Sequence, residues 1–504
     1  MTTQVLESDV AIIGSGMGGS TLARALGEKG VETLVVERGT RLPREEDNWN
    51  PKRVFVDHRY RNSEPWEDAS NGQPFAPGVH YWVGGNTKVY GASLPRFRER
   101  DFESFEHLEG TSPAWPFQYA DLEPFYGIAE RWYGVHGTPT EDPTEPWRSQ
   151  GYPYPALPHE PYVGAVVGRL REAGAHPYSM AIAVDVREGG RCIQCRTCDG
   201  FPCRVHAKGD AELCGIDPAL ETGCVRLETS TRVVQLHTNA GGTRVVEADA
   251  EREGSPIKIQ ARTFVVSAGA VNSAALLLRS STKKHPNGLG NSSGLVGRRY
   301  MVHNCTFMVS IDPWRRNPTS FQKTAGINDW YLDSDLGRPL GNVQLLGKLQ
   351  GPMIRAARPY VPEPMLAAAT RRSIDWYLES EDLPDPENRV SLNSDGGIRI
   401  HWRATNIAAH HALIARMRDL LKRAGFPIVV HETMGIATNS HMCGTIVAGN
   451  DPRNSVLDGY CRSHDVENLF VVDGSFFPSS AALNPALTIA AQAIRVAHLG
   501  DVLR

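Results

Sequence analysis

The chain has 504 residues, which is too long for one compact hydrophobic core and predicts two or three structural units. Hydrophobic residues make up 41% and charged residues 22%, as in an ordinary soluble globular protein. No apolar run reaches the roughly 18 residues of a membrane span. The net charge of -4 gives no reason to expect nucleic acid as a partner, because that usually requires a basic face.

The first predicted strand begins almost at the start of the chain. Val10–Ile13 is a short apolar run, as in buried parallel strands, and no basic stretch with a cleavable apolar segment precedes it. We therefore expect a cytoplasmic protein. A Gly-rich turn follows, then a helix over Thr21–Leu26 that ends before Gly30, and then a second strand over Thr33–Glu37.

The middle of the chain changes character. Residues 40–160 are rich in Pro, Trp and Tyr, and predict segments that wrap a core or cover a site. Strands resume near Arg226. Between about residues 300 and 430, alternating segments such as Asn342–Leu349 and Arg389–Trp402 predict an antiparallel sheet with one face on a core and one face open.

Three glycines at the start of the chain predict a dinucleotide site. Gly14, Gly16 and Gly19 form a G-x-G-x-x-G motif between the first strand and the first helix. The first glycine permits a tight turn, the second lets the backbone approach a pyrophosphate, and the third lets helix and strand pack closely. The helix N-terminus offers N–H groups to the phosphates. Glu37 ends the next strand, where a carboxylate binds ribose hydroxyls and repels a 2′-phosphate, which disfavours NADP.

Two later turns favour FAD over NAD. Val265–Ala270 and Phe470–Gly474 are strand-to-turn units that end in small residues, and a helix follows from about Pro485. The long ribityl–isoalloxazine arm of FAD needs such turns beyond the first glycine motif. Asp473 could hydrogen-bond a ribityl or pyrophosphate-side group, and the alternative is an ordinary Asp-Gly turn.

Taken in order, these motifs resemble the glucose–methanol–choline (GMC) family of flavin oxidoreductases. The resemblance covers most of the chain and rests on the glycine motif, Val83–Asn86, Ser267–Leu278, Val296–Arg298 and a C-terminal His…Asn-Pro pattern. It implies an α/β fold in which a discontinuous Rossmann-like FAD-binding domain lies beside a substrate domain built on an antiparallel sheet. Within the family, the chain is most similar to pyranose oxidases and bacterial glycoside 3-oxidases.

The resemblance also implies domain boundaries. Residues 1–95, 205–300 and 435–504 are expected to form the FAD-binding domain, while residues 96–204 and 301–434 form the substrate-binding domain with its wrapping and lid segments. The residues expected to contact FAD come from every part of the first domain: Gly14, Gly16, Gly19, Glu37, Arg38, Gly84, Gly85, Asn86, Val233, Ala268, Asp473, Gly474, Asn484, Pro485 and Ala486.

The linkage to FAD is expected to be non-covalent. The segment Gly84–Tyr90 is similar to the pyranose oxidase loop whose histidine is covalently linked to FAD, and Val89 stands at that position here. Valine has no nucleophile.

Oxidation of an alcohol by a flavin needs a base for the hydroxyl proton, and histidine suits that role because its pKa is ordinarily about 6.5. By the resemblance, His441 is this base and Asn484 is its partner, in the form seen in pyranose and cholesterol oxidases. The amide of Asn484 can orient the substrate oxygen without adding charge. Asn484 before Pro485 is also a good helix N-cap, and both roles can coexist.

Other candidate residues have open or structural interpretations. His303 and Asn304 are expected to be structural. Gln344 and Lys348 lie on an alternating strand that could face a sugar or solvent equally well.

The densest group of cysteines is Cys192, Cys195, Cys198 and Cys203, out of nine in the chain. Four thiolates at this spacing could hold zinc or an iron–sulfur cluster, as in some flavin glucose dehydrogenases of the family. The alternative is a reduced or disulfide-linked loop that only packs, and we assign no metal site.

The sequence thus predicts an FAD-dependent oxidation of a secondary alcohol of a sugar or glycoside, at C3 of a glucoside, by hydride transfer to flavin N5 with His441 as base. The alternatives are a pyranose 2-oxidase-like, sterol or other alcohol oxidase, and a flavin-containing lyase without net redox change. A non-catalytic flavoprotein would be expected to lack the His441 and Asn484 pair. The electron acceptor, oxygen or another oxidant, and the oligomeric state stay open.

Overall fold

A computed structural model describes residues 4–503. Within this range the strands, in chain order, are β1 (Gln4–Ile13), β2 (Thr33–Val36), β3 (Trp66–Asp68), β4 (Gln73–Phe75), β5 (Phe105–Glu106), β6 (Thr111–Ser112), β7 (His136–Gly137), β8 (Tyr154–Pro155), β9 (Pro177–Ser179), β10 (Val225–Glu228), β11 (Thr231–Thr238), β12 (Val245–Arg252), β13 (Ser255–Val266), β14 (Asn304–Ile311), β15 (Ala325–Ile327), β16 (Asn342–Leu345), β17 (Ser373–Ser380), β18 (Arg389–Leu392), β19 (Ile398–His401), β20 (Ile428–Thr433) and β21 (Leu469–Val471). The α-helices are α1 (Met17–Gly27), α2 (Pro51–Phe55), α3 (Tyr119–Tyr133), α4 (Pro161–Glu172), α5 (Asp217–Glu221), α6 (Ala270–Arg279), α7 (Gly351–Ala357), α8 (Glu363–Thr370), α9 (Ile407–Arg423) and α10 (Ala486–Leu499).

The first sheet has a parallel core. β1 pairs in parallel with β2 and β13, β10 pairs in parallel with β2, and β13 pairs in parallel with β21. β11 and β12 extend this sheet in antiparallel pairing. Because the carboxyl ends of parallel strands meet at one edge, the turns after β1, β2, β13 and β21 gather there, which is where an α/β sheet binds ligands.

Helix α1 lies close against this sheet because its first turn contains two adjacent glycines, Gly18 and Gly19. A Cβ at Gly19 would lie 2.1 Å from the carbonyl oxygen of Gly14, and one at Gly18 would lie 1.8 Å from that of Val472. The helix begins at Met17, four residues before the predicted start at Thr21. The glycines therefore allow the helix, the β1 turn and the β21 turn to meet.

The second sheet has six antiparallel strands in the order β20, β14, β17, β16, β15 and β9. Side chains alternate along β14 and β17. Phe307 and Tyr377 line a large cavity, whereas their neighbours Met308 and Trp376 belong to a separate apolar core with α4 and α9. The sheet therefore has a core face and a cavity face.

Two parts of the prediction for this region are wrong. The central strands β16 and β17 are buried on both faces, so they lack the expected open face. The strand β19 does alternate buried and exposed residues as expected, but it pairs with β18 and β3 in a separate four-stranded sheet. The helix α9 covers one face with Leu413, Met417 and Leu420, whose spacing of four and three residues is helical. Residues 40–160 likewise contain the long helix α3, although its tyrosine-rich sequence had indicated irregular structure.

The helices of residues 4–503 all lack the combination of length and hydropathy that would let one cross a lipid bilayer. The α/β fold is confirmed, with its nucleotide-type sheet assembled from the start, middle and end of the described chain. The residue boundaries of the two domains stay a prediction.

Candidate active site

A cavity of about 1140 Å³ separates the two sheets. One side is formed by the turns at the carboxyl edge of the parallel strands, and the other by the cavity face of the antiparallel sheet. Pockets for a single small ligand are typically about 300–1,000 Å³, so this space is large enough for a cofactor together with a substrate.

The cavity collects nearly all of the residues that the sequence assigned to FAD. Those on its wall are Gly14, Gly16, Glu37, Arg38, Gly85, Asn86, Val233, Ala268, Asp473, Gly474, Asn484, Pro485 and Ala486. Gly19 and Gly84 are absent from the wall. Gly19 packs against Gly14. Gly84 adopts a left-handed backbone conformation (φ 93°), and its N–H donates a hydrogen bond to the hydroxyl of Ser15 at 3.2 Å.

The glycine turn fits a dinucleotide. A Cβ at Gly16 would meet no protein atom within 4 Å, so this backbone faces open space. No side chain caps the N-terminus of α1 and its first turn holds no acidic residue, which leaves N–H groups for an anion. The Glu37 carboxylate accepts hydrogen bonds from the N–H (3.0 Å) and hydroxyl (2.6 Å) of Ser15 and from the N–H of Gly39 (2.8 Å). These bonds fix a carboxylate that has lone pairs left for ribose hydroxyls.

Asp473 connects two of the turns. Its carboxylate accepts hydrogen bonds from the N–H of Gly269 at 3.0 Å, the hydroxyl of Ser273 at 2.5 Å and the N–H of Ser475 at 2.8 Å. Burial raises the pKa of Asp473 above its ordinary value, although these bonds oppose the shift. Asp473 thus joins the turn after β13 to the turn after β21, and a direct contact with FAD stays a prediction.

Strand register brings two histidines together. The backbones of Met301 and Cys443 form an antiparallel bridge, with reciprocal N–H···O distances of 3.0 and 2.9 Å. On extended chains, side chains two residues apart point to the same side. His303, two residues after Met301, therefore stands opposite His441, two residues before Cys443. Their Nδ1 atoms are 3.0 Å apart. His441 lines the cavity, while His303 lies behind it.

The carboxylate of Glu379 lies between these histidines. Its Oε1 is 3.0 Å from Nδ1 of His441 and 3.1 Å from Nδ1 of His303. Nε2 of His303 contacts the carbonyl oxygen of Ser480 at 3.0 Å and must donate to it. Burial disfavours a charged His303, but the bond to Glu379 raises its pKa above the ordinary value. Burial also raises the pKa of Glu379, yet the hydrogen bonds from His303 and His441 outweigh this and lower it to about 2.

This arrangement leaves His441 in the form that the predicted base requires. Its Nδ1–H donates to Glu379, so Nε2 carries the lone pair toward the cavity. Burial lowers the pKa of His441, and Glu379 offsets part of that effect. The imidazole is therefore neutral near pH 7, and a carboxylate is in place to stabilise the imidazolium that forms when it takes a proton.

Asn484 is linked to the carboxylate of Glu379 by hydrogen bonds through Gln344. Nε2 of Gln344 donates to Oε2 of Glu379 at 2.6 Å and to Oδ1 of Asn484 at 3.0 Å. Since its oxygen is occupied, the amide of Asn484 has its N–H groups left to donate into the cavity. The N-cap prediction for Asn484 is wrong, because α10 begins at Ala486 and its cap residue is Pro485, without a side-chain hydrogen bond.

The sequence did not identify Glu379 or Gln344 as parts of the site. Glu379 follows the apolar run of β17 and is fully buried, and a carboxylate at such a position needs a partner. That pattern is the signal that could have found it. Gln344 had been left open between a sugar contact and solvent, and it instead supports Asn484. Lys348 is absent from the cavity wall and is 3.5 Å from Asp375.

The cysteine segment has no disulfide among the described residues, where all nine cysteines are free. In residues 4–503, the potential metal ligands that lie within 4.8 Å of one another are His303, Cys305 and Glu379, not the cysteines of residues 192–203. The hydrogen bonds described above already occupy His303 and Glu379.

A glycine turn that fits a dinucleotide, together with a carboxylate-bound histidine on the same cavity wall, is the arrangement expected of a flavin-dependent oxidoreductase. Models of the GMC oxidoreductase family match residues 8–305 and 384–493, and the chain belongs to this FAD-binding family.

Similar proteins match along the whole length. The chain is 33% identical to paromamine 6′-oxidase of Streptomyces fradiae, over 98% of this chain and 92% of the relative. It is 31% identical to 6‴-hydroxyparomomycin C oxidase of Streptomyces lividus, over 97% and 90%. The structure of formate oxidase from Aspergillus oryzae has the same fold, with a TM-score of 0.68 and 15% identity over 99% of this chain and 98% of that chain.

Two glycine substitutions should separate cofactor binding from folding. Gly16→Ala adds a methyl group where the protein leaves open space, so the variant should fold but retain little FAD after gel filtration. Gly19→Ala forces a methyl group against the carbonyl of Gly14 and should lower the thermal unfolding midpoint even with excess FAD. Full FAD occupancy in Gly16→Ala would contradict the assignment of this turn.

Glu379→Gln should move the acid limb of the pH–rate profile to lower pH. The carboxylate raises the pKa of His441 against the effect of burial, so its removal lets that pKa fall further. Flavin reduction near pH 8 should slow by about a hundredfold, because the imidazolium loses its counter-charge. Glu381→Gln is the matched control, since that buried carboxylate bonds Ser112 and contacts His107 instead of His441. An acid limb that stays in place or rises would refute this role of Glu379.

Proposed function

We propose that this protein oxidises a secondary hydroxyl of a sugar or glycoside, with C3 of a glucose unit as the carbon that loses hydride, giving a 3-keto product. The observation that carries the proposal is the convergence of a lone pair on His441 and amide donors on Asn484 at one end of the cavity. A hydroxyl placed there can give its proton to Nε2 of His441 while its oxygen accepts a hydrogen bond from Asn484.

Each residue of the proposed site has a separate role in the reaction. FAD, held by the glycine turn and Glu37, would supply the acceptor for the hydride of the alcohol carbon. His441 receives the hydroxyl proton at Nε2, and Glu379 holds the ring in the required tautomer through Nδ1. Asn484 holds the oxygen without adding charge. Such positioning matters because reacting atoms must approach to about 3–3.5 Å.

Two kinds of support favour a sugar derivative. The relatives at 33% and 31% identity are named for substrates of the sugar and aminoglycoside class. The outer part of the cavity is apolar and would suit the aglycone of a glycoside. Its wall includes Phe307, Val309, Ile311, Leu349, Met353 and Leu366.

A second candidate is oxidation at C6. The names of both Streptomyces relatives specify a 6-type position, whereas C3 rests on the resemblance to glycoside 3-oxidases. The electron acceptor is molecular oxygen or another small oxidant, and hydrogen peroxide formed in air with substrate would identify an oxidase.

Deoxy analogues should separate these candidates. Anaerobic stopped-flow should show flavin bleaching by phenyl glucoside and its 6-deoxy analogue, and none by the 3-deoxy analogue. The opposite pattern would establish C6, and bleaching by no sugar, glycoside or sterol would contradict an alcohol oxidase and favour a lyase. His441→Ala should bind FAD normally yet slow the bleaching at least about a hundredfold, the usual contribution of a general base.

The flavin should be released on denaturation. Val89 lies on the cavity wall but has no nucleophilic atom with which to form a bond to the cofactor. Acid precipitation should leave a colourless pellet and a yellow supernatant with the absorbance of free FAD. A yellow pellet would show covalent attachment elsewhere.

A further inference from the structure

An ion pair on the cavity wall has no part in the proposed reaction. Asp199 comes from the cysteine-rich segment, and Lys323 precedes β15. Oδ1 of Asp199 is 2.7 Å from Nζ of Lys323, and Oδ2 accepts a hydrogen bond from the N–H of Gly347. The side chains are 17% and 5% exposed, and both border the cavity. A charged pair at such depth needs a reason, because desolvation of two charges is costly.

The surrounding backbone leaves room for this pair. A Cβ at Gly91 would lie 1.7 Å from Oδ1 of Asp199 and 2.0 Å from Nζ of Lys323. Gly91 is not among the residues with positive φ, so the ion pair, and not the backbone conformation, excludes a side chain there. A Cβ at Gly347 would also crowd Asp199, at 3.2 Å. The ion pair therefore occupies space in the cavity wall that is available only because Gly91 and Gly347 have no side chains.

The pair lies on the substrate side of the cavity. Gly347, which binds Asp199, is three residues after Gln344, which binds Asn484. Three residues of chain span at most about 10 Å, a distance that a glycoside can bridge. Burial is the main cause that lowers the pKa of His441, and the positive charge of Lys323 is a lesser one, so the ammonium acts on the base across the cavity.

The chemistry of the pair matches hydroxyl groups. A carboxylate only accepts hydrogen bonds and an ammonium only donates them, whereas a hydroxyl does both. Two neighbouring hydroxyls can therefore bind, one donating to Asp199 and the other accepting from Lys323. The amino group of an amino sugar gains less, because Lys323 neutralises Asp199 and repels a second cation. Arg358 and Glu432, which also border the cavity, form a second ion pair.

We propose that Asp199 and Lys323 determine substrate specificity by binding neighbouring hydroxyls of a neutral sugar ring and disfavouring amino sugars. This inference rests on the proposed function. It also gives the cysteine-rich segment a role, since that segment delivers Asp199 to the cavity.

The experiment compares phenyl glucoside with phenyl glucosaminide by anaerobic flavin reduction. Asp199→Asn keeps the shape but removes the charge, and should lower kcat/KM for the glucoside by about 10- to 100-fold, mainly through KM. Lys323→Met leaves an uncompensated carboxylate and should raise the glucosaminide-to-glucoside ratio of kcat/KM at least about tenfold. Gly91→Ala displaces the pair with both charges retained and should weaken glucoside binding alone.

Lys348→Met is the matched control. Lys348 is also buried and paired with a carboxylate, Asp375, but it lies off the cavity wall, so its loss should leave the substrate ratio unchanged. FAD content and thermal midpoint report folding, and the isosteric Asp199→Asn carries the test if Lys323→Met does not fold. If glucoside reduces the wild-type flavin but every cavity variant keeps the wild-type KM and ratio, this inference is wrong and the proposed function stands. If neither sugar reduces the wild-type flavin, both fail.

Discussion

The buried carboxylate of Glu379 is the group on which the arrangement of the site depends. It binds His441 directly, binds His303 behind it, and reaches Asn484 through Gln344. A carboxylate with no exposed surface is unstable without partners, so these contacts stabilise the fold as well as orienting the residues of the proposed site. One charge therefore sets the tautomer of His441 and, through Gln344, the orientation of the Asn484 amide.

The two sheets form opposite walls of the cavity. The parallel sheet ends in turns with small residues, where backbone N–H groups can approach a cofactor. The antiparallel sheet presents Tyr377 and Glu379 on one face and buries Trp376 and Leu378 on the other. Because successive side chains on a strand alternate, the apolar core under α9 and the polar support of the site are built from the same strands.

The wall of the cavity on the substrate side combines apolar side chains with two ion pairs. Lys323 with Asp199 lies on the substrate side, and Glu432 with Arg358 lies near α8. A wall of this kind suits a neutral ligand that has both hydroxyl groups and an apolar part. The relatives named for aminoglycosides match nearly the whole chain, so we expect a difference in substrate to arise from wall residues such as these.

The sequence by itself determined the features that depend on short stretches of chain. Each of these features is encoded within a few residues: the glycine turn, Glu37 after β2 and the strand-to-turn unit before Gly474. The helical periodicity of α9 was also present in the sequence, although we did not predict that helix. Only the tertiary structure decided which distant residues meet: His303 and His441 are 138 positions apart, and Asp199 and Lys323 are 124. Such contacts follow from strand register, which is set by the packing of whole sheets and leaves no local pattern in the sequence.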